Sequence, residues 1–272
     1  MRHADSYVDL RERAFGATPR VRVCDEDAEL FADLPPAAQL EARLHTGVPA
    51  PTLERGPWTW QGLEAIDTDV CLGLLVLDGL LIHSVTVGAA PRSELVGPGD
   101  VIRPWDRDED GASIPSTSDW RVVHRARVAV LDARFLVFAA RWPPLMLAVV
   151  RRFVGRTHSL ALQLAIADLR RIEDRLRLYF WHLADRWGRV AREGVVVPFA
   201  LTHDVVAQLV CAQRPTVTTA LSRLAATGEI RRRADKSWLL PTEPPPAPGR
   251  GPRPQPAGSS PRSTTLDAIS TG

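Results

Sequence analysis

Lysine is almost missing from this chain of 272 residues: of 34 basic side chains only Lys236 is lysine, and the rest are arginine. That skew points to a GC-rich genome rather than a chemical choice. No Cys-x-x-Cys pair occurs. The three cysteines, Cys24, Cys71 and Cys211, lie far apart, which argues against a zinc finger or iron–sulfur centre and leaves them as buried or idle thiols. There is no run of eighteen uncharged apolar residues, so no membrane-spanning helix is expected. The first thirty residues are charged and lack the apolar centre of a secretory signal. Both absences imply a cytoplasmic protein with no membrane partner. Enzyme signatures are missing too. The seven histidines form no His-x-x-x-His pair, and there is neither a Gly-x-Ser-x-Gly turn nor a Walker loop. The expectation is a protein that is not an enzyme and carries no cofactor. What remains is an ordinary globular composition, 45% apolar and 24% charged, in a chain long enough for two domains.

The small net charge of +2 hides an asymmetry. Residues 1–140 hold 14 arginines against 22 acidic residues, a net of −8. Residues 141–200 hold 11 against 5, and residues 201–240 hold five arginines and Lys236 against 3. A basic C-terminal half suggests a polyanionic partner for that half, although a solvated surface gives the same count.

Pattern divides the chain into stretches. Residues 1–25 are polar and without period, an expected loose arm. Glu26 to His45 looks helical with a break at Pro35-Pro36. From Cys71 short apolar runs follow one another. CLGLLVL and LLIHSVTV are joined by Asp78-Gly79, which predicts a hairpin turn. SELVGPGDVIRPW adds a strand and a Gly-Pro-Gly-Asp turn, and WRVVHRARVAVLD predicts two more strands. Such spacing argues for a β-barrel or roll over 26–140. Asp106 to Ser118 reads as an acidic loop. Its Asp106, Asp108, Glu109 and Asp110 lack the glycine and distal glutamate of an EF-hand.

After Asp132 the period becomes helical, and residues 141–188 are expected to form two helices. Met146, Val149, Val150, Phe153, Leu160 and Leu164 mark the face of a long helix over about Pro144 to Ile166. Asp168 is the expected N-cap of the next, whose apolar positions run from Leu169 to Trp187 before Gly188 stops it. Val195 to Val197 reads as a strand. Residues 189–241 then hold two short helices and the hairpin IRRRADKSWLL, with Ala234-Asp235 near its tip. From Pro241 the chain carries nine prolines in its last 32 residues, so residues 242–272 are expected to be disordered.

The stretch LTHDVVAQLVCAQRPTVTTALSRL bears most on function. Thr202 caps its first helix. In the second, Val217, Leu221 and Leu224 form the inward stripe, and Thr219 and Ser222 point the other way beside Thr218 and Arg223. Small hydroxyl-bearing side chains let a helix approach a partner closely and can donate to phosphate or a base edge. Arg214 leads the helix, and Pro215 is tolerated in the first turn because its missing N–H would be unpaired there. The hairpin's Arg231, Arg232, Arg233 and Lys236 suit phosphates beside a groove. The candidate double-stranded DNA-binding set is Thr202, Gln213, Arg214, Thr216, Thr218, Thr219, Ser222, Arg223, Arg231, Arg232, Arg233 and Lys236.

With Leu201-Thr202, Ala207 and Arg214-Pro215-Thr216-Val217, this segment resembles the winged helix–turn–helix of Crp/Fnr-type transcription regulators. The resemblance implies an α+β fold: an N-terminal β-roll (double-stranded β-helix) of cyclic-nucleotide-binding-like type, a long dimerisation helix and a C-terminal winged helix–turn–helix. It implies a homodimer on a near-palindromic operator, with Arg214 reading a base and Thr202 and Arg223 touching phosphate. It adds RNA polymerase and an unknown small-molecule effector as candidate partners. Thr219 stands where many members carry a second base-reading arginine, so a different operator is expected. Members that bind cyclic AMP have Gly-Glu after the Gly-x-Gly-Asp-like turn and a later Arg-Ser or Arg-Thr. After Gly97-Pro98-Gly99-Asp100 this chain reads VIRPWDRDED, and STSDWRVVHRAR lacks the second pair. A roll without cyclic nucleotide is expected, with Arg103 and Arg121 as candidates for another anion. The rival reading is a ligand-sensing or protein-interaction module whose winged domain no longer reads specific DNA.

Overall fold

Residues 18–63, 66–88, 90–106 and 113–245 are described by a computed structural model. The first seventeen residues of the expected arm, the acidic Asp108, Glu109 and Asp110, and the proline-rich stretch from 246 lie outside the described residues. Polarity alone assigns residues 20–25 to the arm. The structure makes them β1 (Arg20–Arg22) and most of α1 (Val23–Glu26), with Val23 fully buried. A 3-10 turn, Ala28–Phe31, precedes α2 (Pro36–His45), so the break expected at the paired prolines is real. Pro36 opens α2 in the first turn, where it costs no hydrogen bond.

The sheet-rich part follows. Short β2 (Gly47–Pro49) pairs with β1. Then come β3 (Thr52–Leu53), β4 (Gly56–Trp58), β5 (Gly73–Val87), β6 (Ala90–Val96), β7 (Val101–Ile102) and β8 (Thr117–Leu131). Two corrections concern β5 and β8. CLGLLVL and LLIHSVTV are not the arms of a hairpin; from Gly73 on they form one continuous strand, paired with β8 from Gly73–Leu131 to Thr86–Thr117. Likewise WRVVHRARVAVLD, up to Leu131, lies within the single strand β8. The register shifts between Val76 and Leu81 show why Asp-Gly is there. It builds a bulge, and a bulge needs the same positive φ as a tight turn. Gly79 has φ +82°, and a Cβ added there would lie 2.3 Å from the Arg125 carbonyl oxygen. The kink lets β5 pair with β7 in its first half and with β6 in its second, folding the sheet over on itself.

That sheet is buried on both sides, which explains its near-continuous apolar runs. Inside lie Leu74, Val76, Leu81, Ile102, Trp120, Val122 and Val128. On one outer face Leu75, Val101, Ala129 and Leu131 pack with the N-terminal helices and with α3 (Ala133–Ala140) and the start of α4 (Pro143–Ala167). Asp132 caps α3 by accepting from the N–H groups of Arg134 and Phe135, both at 3.1 Å. The expected apolar face of α4 is split by the structure. Leu145, Val149, Ser159, Gln163 and Ile166 face inward. Leu147, Val150 and Val154 are exposed at spacings of three and four, and Leu164 is exposed farther along the helix. A helix apolar on two sides gives no single stripe for its period to pick.

Asp168 is not an N-cap. It closes the C-terminus of α4, and the next helix, α5 (Ile172–Trp187), starts behind the N-cap Arg171, three residues later, which lends no side-chain cap. Leu169, Arg170 and Arg171 therefore belong to the link. Gly188 ends α5 as expected. Then come β9 (Arg189–Ala191), β10 (Gly194–Val197), α6 (His203–Leu209), α7 (Arg214–Ala226), β11 (Arg231–Arg232) and β12 (Trp238–Leu240). The strands form one sheet in the order β11-β12-β10-β9. β9 has no apolar alternation to announce it, and all three of its residues are exposed.

On the other outer face of the first sheet, Leu80, Ile82, Leu95 and Val123 join one apolar cluster with Ile166, α5, α6, α7 and Trp238. Among the described residues no single helix is long and apolar enough to cross a membrane. The bulge gives a first expected outcome. Gly79→Ala combines backbone strain with a main-chain clash and costs more than about 3 kcal/mol. Thermal unfolding should show Tm lower by at least about 5 °C; an unchanged Tm would mean that β5 does not need the bulge.

Candidate nucleic-acid interface

Helices α6 and α7 are separated by Val210–Gln213, a link tight enough that Cys211 takes φ +53°. Its backbone is closed by the Ala212 N–H donating to the Ala207 carbonyl at 2.9 Å. Thr202 starts α6: its hydroxyl accepts the Val205 N–H at 3.3 Å. The inward stripe of α7 is as the period predicts. Val217, Ala220, Leu221 and Leu224 are buried and belong to the cluster that contains Val205, Val206 and Leu209 of α6. Below them Phe180 of α5 meets Trp238 of β12 at 4.8 Å between rings.

The outward side of α7 is left to solvent. Gln213, Arg214, Pro215, Thr216, Thr219, Ser222 and Arg223 are all exposed. Their small hydroxyls are partly committed locally. Ser222 donates to the Thr218 carbonyl at 3.0 Å, and the Thr218 hydroxyl lies 3.0 Å from His203 Nδ1. Thr218 is thus half-buried against α6 and holds the two helices together rather than pointing outward. Arg214 pairs with Asp204 at 3.4 Å, and Arg223 with Glu173 of α5 at 3.1 Å. Both arginines are mostly exposed, so these pairs are weak and readily exchanged for a stronger anion.

The β11–β12 hairpin stands beside this face. Its register is Arg231–Leu239 and Arg232–Trp238. The turn is closed by the Arg233 N–H donating to the Ser237 carbonyl at 2.9 Å, with Lys236 at φ +68°. Arg231, Arg232, Arg233 and Lys236 are exposed, and none has an ion-pair partner among the described residues. His203 links hairpin and helix: burial, then the charges of Arg232 and Arg214, push its pKa below the ordinary imidazole value. The start of α7 and the hairpin therefore share a positive potential.

The two anion-binding candidates of the N-terminal sheet do not converge. Arg103 is bound to Asp106 and donates to the Cys71 and Thr68 carbonyls. Arg121 is on the outer face, donating to Gln208 Oε1 of α6 at 2.9 Å. Sequence reasoning missed a buried triad nearby. Glu94 of β6 accepts from Arg156 of α4, whose Nε is 3.1 Å from Oε2, and lies 2.8 Å from His83 Nδ1. His83 stacks on Trp120 at 4.3 Å. Burial alone would raise the Glu94 pKa, but the His83 hydrogen bond and the Arg156 charge outweigh it and hold the carboxyl below its ordinary value. Residues 83, 94 and 156 carry no motif spacing, so only three-dimensional proximity could reveal them.

No family model matches the sequence, and no curated protein is significantly similar to it. Solved structures are similar in fold. A cyclic nucleotide-binding domain containing protein from Listeria monocytogenes aligns with a TM-score of 0.57 at 13% identity, over 81% of this chain and 98% of that one. A CooA mutant from Carboxydothermus hydrogenoformans gives 0.52 at 15% identity, over 72% and 84%. FixK2 from Bradyrhizobium japonicum gives 0.51 at 14% identity, over 71% and 92%.

The triad predicts its own mutational signature. Arg156→Met strands a buried carboxylate and should cost about 3–5 kcal/mol, most of it recovered in the double variant Glu94→Met, Arg156→Met. In the unaltered chain Glu94 is depressed, so its stabilisation is present above the ordinary carboxyl value of 4.5 and is lost only as pH falls below it. Urea unfolding of the variants across that range reads both effects; additive losses in the double variant would show that the pair is not coupled.

Proposed function

We propose that this chain, whose fold is of the Crp/Fnr type, is a sequence-specific DNA-binding transcription regulator that works in the cytoplasm as a homodimer. The N-terminal sheet is its β-roll, α4 and α5 its dimerisation and hinge helices, and residues 189–241 its winged helix–turn–helix. One observation carries the reading. Among the described residues, the side of α7 left open carries Arg214, Thr216, Thr219, Ser222 and Arg223, with the arginines of the hairpin beside it. A helix of that width enters a major groove, its leading arginine can pair with guanine, and the wing can hold flanking phosphates.

The exposed stripe of α4 supports the dimer. Leu147, Val150, Val154, Thr157, Ala161 and Leu164 are all open to solvent and alternate at three and four residues, the repeat of a two-helix seam. Pairing two such seams would set the α7 helices about one DNA turn, roughly 34 Å, apart. The roll is proposed to hold no cyclic nucleotide: its inside is filled by Trp120 and aliphatic side chains, and Arg103 is spent on neighbouring groups.

Arg214→Ala should weaken binding to the selected operator by about 1–3 kcal/mol and relax preference at one base step. Arg232→Ala should weaken all sequences alike and lower the salt slope by about 0.9 per phosphate released. Selection from random DNA followed by titration separates the two; a loss in Arg214→Ala that is uniform over all sequences removes the base-reading role. Val154→Glu should weaken self-association by at least about 100-fold, near 3 kcal/mol, with helical circular dichroism unchanged. Sedimentation showing an intact dimer would move the interface elsewhere.

A further inference from the structure

We propose that the N-terminal sheet is itself part of the DNA-contacting surface, with Arg55 and Arg121 holding backbone phosphates of the duplex that α7 reads. This rests on the reading of α7 above and extends it to a part of the molecule with no assigned partner. Between the sheet and α6 runs a cleft of about 430 Å³. From the sheet it is lined by Arg55 and Arg121, and from the other side by Thr202, Asp204, Arg232 and Lys236. The DNA-facing cap and wing thus share one concave surface with two arginines from 80 residues or more upstream.

The charge balance of the cleft favours an anion. Arg55, in the link between β3 and β4, is exposed and has no ion-pair partner among the described residues. Its neighbour Glu54 is taken by Arg125 at 3.0 Å. Asp204 is taken by Arg214. Arg121 gives one N–H to Gln208 and keeps the rest of its five donors. Glu54 is thus matched, and even with Asp204 released when Arg214 turns to DNA the cleft sets Arg55, Arg121, Arg232 and Lys236 against a single carboxylate. Each strand of a duplex presents one phosphate charge about every 3.4 Å of helix axis and can reach successive cations along such a track.

The arrangement is also held in place, as a phosphate track requires. Gln208 Nε2 donates to Ser84 and Ser93 on β5 and β6, while its Oε1 receives Arg121. His124 Nε2 lies 3.2 Å from the Ala200 carbonyl just before α6. These bonds fix Arg121 relative to Thr202, so this sheet arginine sits at a set distance from the start of α6.

The test is salt-dependent titration of the full chain on its selected operator. Arg55→Ala and Arg121→Met should each lower the slope of log Kobs against log salt by about 0.9 and weaken binding about 3- to 10-fold at moderate salt. Base preference should not change, and Arg55→Lys should restore most of the loss, because a phosphate needs charge rather than a fork. Arg55 has no partner among the described residues, so its variants leave folding untouched. Unchanged slopes in both variants, with Arg232→Ala still flattening the slope, would confine DNA contact to the winged unit and overturn the proposal alone. A wild-type chain with neither sequence preference nor salt slope would overturn the regulator reading with it. Saturable binding of inorganic phosphate to the DNA-free chain, lost in Arg55→Ala without any change on DNA, would make the cleft a small-anion site and sink the proposal.

Discussion

A single apolar contact surface organises this molecule: the outer face of the first sheet against α5, α6 and α7. Leu80, Ile82, Leu95 and Val123 on one side and Leu176, Phe180, Leu183, Val206 and Leu221 on the other belong to one cluster. The second, smaller sheet contributes Trp238, Val197 and Leu240 to the same cluster. Helices of seven and thirteen residues are too short to be stable alone in water. Their position and their persistence both come from what they bury.

Polar contacts set the orientation that apolar burial leaves loose. Arg186 of α5 grips Asp100 of the Gly-Pro-Gly-Asp turn with both oxygens at 2.6 Å and lies over the Trp187 ring. Trp187 in turn donates to the Pro98 carbonyl at 2.9 Å. Gly97 makes room for it, since a Cβ there would come within 2.8 Å of the indole. Arg156–Glu94 does the same for α4, and Gln208 for α6. Buried pairs of this kind add little net stability over an apolar match, but breaking one is costly. Their role here is to define which of several greasy packings is adopted.

Local signals were legible in the sequence where chemistry is local. The Thr202 cap, the inward stripe of α7, the wing turn and the end of α5 at Gly188 follow from nearest-neighbour rules. The errors share a cause. Asp78-Gly79 specifies a backbone conformation, not the element that uses it, so a bulge and a hairpin look alike. Asp168 suits either end of a helix link, and only tertiary packing chose the end of α4. The two faces of α4 could not be separated because both are apolar. Of the candidate site, the exposed face of α7 was readable. The half-burial of Thr218 against His203, and the convergence of Arg55 and Arg121 with the wing, were not, since they join residues 15 to 181 positions apart.

The fused core has a consequence for how the sequence can drift. The sheet and the reading helices are not modules that can be exchanged one at a time. A side chain that shrinks at Leu95 leaves a void in the cluster it shares with Val205 and Leu209 of α6, on the other half of the chain. Lineages descended from this chain should therefore show compensating replacements between its two halves, and chimaeras that mix halves from distant relatives should inherit a mismatched seam.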